Sequence, residues 1–298
     1  MNDSSLSSPI KEPLLKRNLV RALDINIDLG QTPQLAFWQS PKADALLNLV
    51  SSVNLPCFVH DGLPQTVATL AQQAKGHHCA IGAHVGYPTP QNLGYEAPAG
   101  LSPTDLKHWL WVQLGALQAV LKPYNLGIEH IRPHGALYAD ICTNEEIALA
   151  FIEAVQQFDA WLPILLPPTP LIKDLSQKYS VIIAHELVVG KRYNSQLLLD
   201  TGFKDHQKWL PPNAIWEQVR HAVVNNELAT SDGKKHPLVL QSLHLSVELP
   251  ELLTLATKTV ELLGQAVPVN LAKVHHSGWL QGFNDRNMEP ALPLYEDY

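Results

Sequence analysis

Seven short apolar or β-branched runs recur along this chain, typically with a turn and then a longer segment of helical spacing, and no other feature restricts its fold as much. The runs are LDINIDL (23–29), VNLPCFVH (53–60), CAIGAHVG (79–86), IEHIRPHG (128–135), LPILLPP (162–168), SVIIAHE (180–186) and LVLQSLHL (238–245). Helices are expected over 44–53, 66–75, 102–122, 144–158, 213–227 and 248–264, where apolar residues fall three and four apart. Ser102, Pro103 and Asp105 supply a start signal for the third of these. Strand alternating with helix requires crossover connections, and therefore parallel strands in an α/β architecture. Seven runs without a linker favour one closed or nearly closed (β/α) barrel over residues 23–264, with an open doubly wound sheet as the other arrangement the pattern allows. Residues 1–22, rich in Ser, Pro and Lys, are expected to form a loosely held arm. Residues 265–298 have no clear period and read as an irregular extension that could contact another chain, so a homo-oligomer stays open.

Composition excludes several classes. With a net charge of −7 there is no basic stripe for nucleic acid. No uninterrupted apolar stretch reaches the roughly 18 residues of a membrane span, and residues 1–18 contain no secretory apolar core. Cys57, Cys79 and Cys142 show no CxxC spacing and suit a reducing compartment, so a cytoplasmic protein is expected, with Cys57 and Cys79 as small core residues. The chain lacks GxGxxG, GxxxxGK[ST] and HExxH, and the pairs His77–His78 and His275–His276 read as surface turns.

The faces of the strands carry the functional signal. In LDINIDL, Asp24, Asn26 and Asp28 share one face, while Leu23, Ile25, Ile27 and Leu29 share the other. If the apolar face meets the outer helices, two carboxylates and an amide point into the barrel, where they need hydrogen bonds, a cation or a substrate. His84 lies beside Ala80, Gly82 and Gly86, which leave it room. His60 ends the second run, His134 follows Pro133 in a turn, Glu186 shares a face with Ala184, and His244 shares one with Ser242. Four histidines at the C-terminal ends of parallel strands place a site at the barrel mouth, and imidazole suits both proton transfer and metal ligation.

The segments DINIDLG, SSVNLPCFVHDG, AIGAHVGYP and RPHGALY, in this order, resemble the LamB/YcsF family, which includes the A subunit of bacterial 5-oxoprolinase. The resemblance covers about residues 23–260. It implies an irregular seven-stranded (β/α) barrel of glycoside hydrolase/deacetylase type. The implied reaction is ATP-dependent opening of 5-oxoproline, or a related lactam or amide, to glutamate together with the B and C subunits of 5-oxoprolinase. No phosphate loop exists here, so ATP would be handled with or by those partners. On this resemblance the catalytic set is Asp24, Asp28, His60, His84 and His134. The substrate-binding set is Asn26, Tyr138, Glu186, Lys191, Tyr193 and His244.

The chain departs from the family pattern at several charged positions. Gln31 stands for a glutamate, Leu63 and Thr89 for aspartates, and an arginine pair has Tyr95 and Glu96 as its nearest counterparts. The ADR triplet reads Val189-Gly190-Lys191, and HGD reads His244-Leu245-Ser246. Asp61 stands where the family has alanine, and it is left out of the site. Besides a lactam hydrolase, two readings stay open. One is a degenerate member that binds a ligand or partner without catalysis. The other is a metal-dependent, deacetylase-like hydrolase using Asp28 with two of His60, His84 and His134.

Overall fold

The structure is a computed structural model, and it describes residues 23–200, 209–264 and 266–269. Seven parallel strands close into a barrel: β1 (Asp24–Asp28), β2 (Ser52–Pro56), β3 (Ala80–Val85), β4 (His130–Pro133), β5 (Ile164–Leu166), β6 (Ile183–Val188) and, after an antiparallel hairpin of β7 (Glu227–Ala229) and β8 (Lys235–Pro237), β9 (Ser242–His244). Closure runs through β9, which pairs with β1 at Asn26↔His244 and with β6 at Glu186↔Ser242. The expected closed α/β barrel is therefore the observed one, whereas the expected arm and extension lie outside the described residues apart from 266–269.

Side chains alternate along the strands as the two-residue period requires. Ile25, Ile27, Val53, Leu55, Ile81, Ala83 and Ile131 face outward, where they pack beneath helices such as Pro103–Leu121 and Glu145–Asp159. Ser102 caps the first of these helices by accepting the Asp105 N–H, and Asn144 caps the second by accepting from Glu146 and Ile147. Inside the barrel the residues are polar: Asp24, Asn26, Asn54, His130, Arg132, Glu186 and Ser242 are all buried. Barrels of this kind usually fill that space with branched aliphatics. Here a hydrogen-bonded network fills it.

Local expectations shift at four places. The helix expected over 44–53 is Pro41–Leu47, and Ser52 already belongs to β2. The run ending in His60 stops being strand at Pro56, because Phe58 takes a left-handed backbone with φ 68°. His134 is not in a turn but stands at the N-terminal boundary of the helix Gly135–Thr143, which the pattern missed, as it missed Pro170–Tyr179. The helix expected to Glu227 is Pro212–Arg220 followed by a π turn, and Glu227 opens β7. His77 ends the helix Pro64–Gly76 and bonds Asn48 and Asp44, while His275–His276 lie outside the described residues.

The tightest internal fit is at Gly82, where an added Cβ would lie 2.0 Å from His130 Nε2. That ring nitrogen donates to Asn54 Oδ1 at 2.8 Å, so it cannot move without breaking the interior network. Gly82→Ala is expected to lower stability by about 2 kcal/mol or more, read as a reduced urea midpoint with unchanged slope.

Candidate active site

At the C-terminal end of the barrel, the carboxylate of Asp28 gathers three partners. His84 Nε2 lies 3.4 Å and His244 Nε2 3.6 Å from Oδ2, and Arg132 Nη1 lies 3.4 Å from Oδ1. Each imidazole is oriented from behind: His84 Nδ1 meets the Arg132 carbonyl at 3.0 Å, and His244 Nδ1 meets Asn26 Oδ1 at 2.8 Å. Asn26 donates its amide protons to Glu186 and Ser242, which fixes its oxygen as the acceptor. His134 Nδ1 stands 2.9 Å from His84 Nε2, while its Nε2 bonds the Leu93 carbonyl at 2.7 Å. His60 stacks on His134 with centroids 4.4 Å apart and planes at 10°. Tyr95 lies edge-on to His134 at 4.9 Å.

Counting protons narrows the states of this cluster. Backbone carbonyls only accept, so His84 Nδ1 and His134 Nε2 both carry protons. His134 Nδ1, 2.9 Å from His84 Nε2, also lies 3.3 Å from the Gln31 amide nitrogen, which can donate to it. Burial, then the neighbouring His84 charge, pushes His134 down to about 3. Burial would raise Asp28, but His84, His244 and Arg132 outweigh it and hold its carboxyl well below the usual carboxylate range.

Behind this group Glu186 accepts from Arg132 Nε at 2.8 Å, Asn26 Nδ2 at 3.0 Å and the Tyr138 hydroxyl at 3.1 Å. Burial raises its pKa, and Arg132 followed by His244 brings it below the ordinary value. Tyr138 therefore touches the site through Glu186.

The other expected site residues fall elsewhere. Asp24 sits at the N-terminal end of β1, roughly 13 Å along the strand from Asp28, bonded to the hydroxyls of Ser51, Ser52 and Ser242. Burial raises its pKa to about 6, with those hydroxyls working against it. Tyr193 uses its hydroxyl to accept the Val188 N–H, and the Lys191 ammonium sits 3.6 Å from the centre of the Trp209 ring. Asp61 turns away from the barrel and accepts from the Thr32 N–H, the Thr32 hydroxyl and the Gly62 N–H. Leu63 is 60% exposed, and Leu245 belongs to the core.

Arg132, His130 and Asn54 are interior residues of the hydrogen-bonded network that the strand-end pattern did not pick out. Their signal was the same two-residue alternation that marks β1, since His130 and Arg132 share a face. Among the described residues, no group of three or more His, Cys, Asp or Glu is placed to hold a metal ion. Among the described residues, the guanidinium at this mouth already faces two carboxylates, and Lys191 covers Trp209. No helix among the described residues is long and apolar enough to cross a membrane.

Fold and site together define a parallel (β/α) barrel with a buried histidine–carboxylate cluster at its C-terminal mouth. The sequence profile of the LamB/YcsF family matches residues 23–276, and the chain belongs to that family. It is 28% identical over 265 residues to the 5-oxoprolinase A subunit of Methylococcus capsulatus, covering 89% of this chain and 99% of that one. It is 33% identical over 171 residues to the 5-oxoprolinase A subunit of Thermus thermophilus, covering 57% of this chain and 67% of the relative. The crystal structure of a lactam utilization protein from Thermus thermophilus superposes with a TM-score of 0.72 at 29% identity, over 83% of this chain and 99% of the other.

The buried rings set a pH dependence. His130 and His134 are held neutral, with pKa values lowered to about 3, and His244 to about 4; burial is the first cause in each. Each folded-state value lies below that of the unfolded chain, so the folded state binds fewer protons between about 6.5 and those values. Stability is then lost as pH falls through that window, by roughly 1.4 kcal/mol per pH unit for each ring. Asp24 works in the opposite sense, because its raised value favours the folded state as pH drops from about 6 toward 4. Three rings outweigh one carboxyl, so the urea midpoint should fall between pH 7 and pH 4.5. A midpoint that rises on acidification would contradict neutral rings.

Proposed function

We propose that the chain hydrolyses the amide bond of a small lactam, as the A-type member of an assembly resembling ATP-dependent 5-oxoprolinase. The observation that supports this most is the convergence of His84, His244 and Arg132 on the ionised Asp28, with His134 within hydrogen-bond distance of His84. Lactam opening needs a water attack on the carbonyl, support for the oxyanion, and a proton for the departing nitrogen. His84, with Nε2 turned to the mouth beside Asp28, can deliver a proton to that nitrogen. Arg132 can donate to the oxyanion. Asp28 is too weak a base to take a proton readily, and its role is to keep the facing His84 and His244 rings oriented. His60, whose ring nitrogens meet no hydrogen-bond partner among the described residues, can take the proton of water.

A lactam is a poor electrophile and needs activation. The sequence holds no phosphate loop, so ATP would be consumed on partners of the B and C type. The naming of the relatives as A subunits supports an assembly of several different chains.

A second reading, binding without catalysis, draws on the burial of the cluster, since His60, His84 and His134 are almost wholly covered. Leu63 and Leu245 do not plug the mouth, because Leu63 points to solvent and Leu245 lies in the core.

Purified protein mixed with B and C subunits and ATP should release glutamate from 5-oxoproline, or the corresponding amino acid from another lactam. His84→Asn and Asp28→Asn should each lower turnover by about 10²-fold or more, with the thermal transition retained. Absence of ring-opened product from every lactam tested would leave the binding reading in its place.

A further inference from the structure

The helix Pro103–Leu121 is apolar on two faces. Leu106, Leu110, Leu114, Leu117 and Leu121 turn inward and are buried in the core. On the opposite side Trp109 is 39% and Val112 54% exposed, Gly115 and Ala119 are exposed, and Ala116 is half-buried. From His108 to Leu121 the helix carries no Asp, Glu, Lys or Arg. A surface helix ordinarily turns charge to water, and one that is apolar all round is ordinarily covered. Among the described residues this side is open at its middle, since an added Cβ at Gly115 would meet no atom within 4 Å. Glycine inside a helix is less favourable than alanine by about 1 kcal/mol, and no close approach within the described chain requires it at 115.

The outward residues also form a seam. Asp105, Trp109, Val112, Ala116, Ala119 and Pro123 alternate steps of four and three, the heptad spacing by which one helix lies along another. The seam runs for about 27 Å. Its bulky pair lies in the first half and its small pair in the second. The same helix from a second copy, laid antiparallel, therefore sets Trp109 against Ala119 and Val112 against Ala116, large against small in each layer. Gly115 then meets Gly115 of the second copy beside the two-fold axis, where the missing Cβ lets the backbones approach. Charge fits the same register. Asp105 stands at one end of the seam and Lys122 at the other, so each carboxylate comes beside the ammonium of the second copy. A parallel pairing would instead set Trp109 on Trp109 and Asp105 on Asp105. At the start of the helix, the loop Pro98–Leu101 with His108 and Trp109 bounds an open cleft of about 440 Å³. Tyr124, 44% exposed just beyond the helix end, comes opposite that cleft in the antiparallel register.

We propose that the outward face of Pro103–Leu121 is a homodimer interface, in which the helices of two copies pack antiparallel about a two-fold axis between Val112 and Ala116. This pairing is independent of the reaction proposed above.

Sedimentation equilibrium of the full chain should show the mass rising to twice the 33.0 kDa of one chain. The rise should fall within about 1–100 μM, the weak range suited to one helix pair with a flanking cleft. Val112→Asp places two carboxylates near the axis and should move that rise to at least about tenfold higher concentration. Its thermal transition should be unchanged, because residue 112 is exposed. A swap tests the register. Trp109→Ala and Ala119→Trp should each weaken dimerisation about tenfold or more, and the double variant should recover most of the loss, since each layer again holds one large and one small side chain. A full chain that stays at the mass of one copy throughout overturns the pairing, whether solvent or another segment of the same chain meets the face. A dimer indifferent to Val112→Asp overturns it as well, because its contact then lies elsewhere. A dimer that Val112→Asp breaks and the swap fails to restore overturns the antiparallel register.

Discussion

One guanidinium organises the interior of this barrel. Arg132 reaches from β4 to Glu186 on β6 and to Asp28 on β1, joining non-adjacent strands across the barrel interior. Burying three charges is unfavourable unless each is paired and the remaining lone pairs are met. The surroundings meet most of them: Asn26 and Tyr138 serve Glu186, Asn54 serves Asp28, and His130 holds Asn54 in turn. Removing Arg132 would leave two buried carboxylates facing one another, which explains why an aliphatic filling of the barrel could not simply replace it. Glycine at position 82 is a consequence, since only the absence of a Cβ leaves space for the His130 ring that completes the network.

The barrel itself could be read from the sequence, because strand and helix periods differ and seven runs repeat the alternation. The inward face of β1 could be read for the same reason: three polar residues at every second position have no other buried arrangement. Arg132 is harder to read, because the strand-end polar residue of IEHIRPHG is His134, although His130 and Arg132 obey the same two-residue rule. Asp24 carries the opposite lesson. It shares a face with Asp28, but a face does not specify height along the barrel, and the three serine hydroxyls around Asp24 come from Ser51, Ser52 and Ser242, distant in sequence.

His60 shows where a local pattern stops. Its run remains apolar through Phe58 and Val59, so periodicity extends the strand to the histidine. The chain instead turns at Phe58 with a backbone that a bulky residue seldom adopts, and sequence propensity gives no hint of it. The turn brings the ring over His134 and sends Asp61 the other way, to Thr32. Adjacent residues thus serve separate ends, one in the cluster and one tying the loop after β2 to the loop after β1.

Asp24 and Asp28 complete the argument, because they are the same residue type on the same strand face and differ only in what surrounds them. Hydroxyls can donate to a carboxylate but bring no charge, so burial prevails at Asp24 and raises its pKa to about 6. At Asp28 two imidazoles and a guanidinium overcome burial and keep the carboxylate ionised. Environments that push like groups apart in this way commonly separate acid–base duties in enzymes. Here the separation runs along the barrel axis: the lower carboxyl ties β1, β2 and β9 together through serines, and the upper one gathers two imidazoles and the guanidinium that face the mouth.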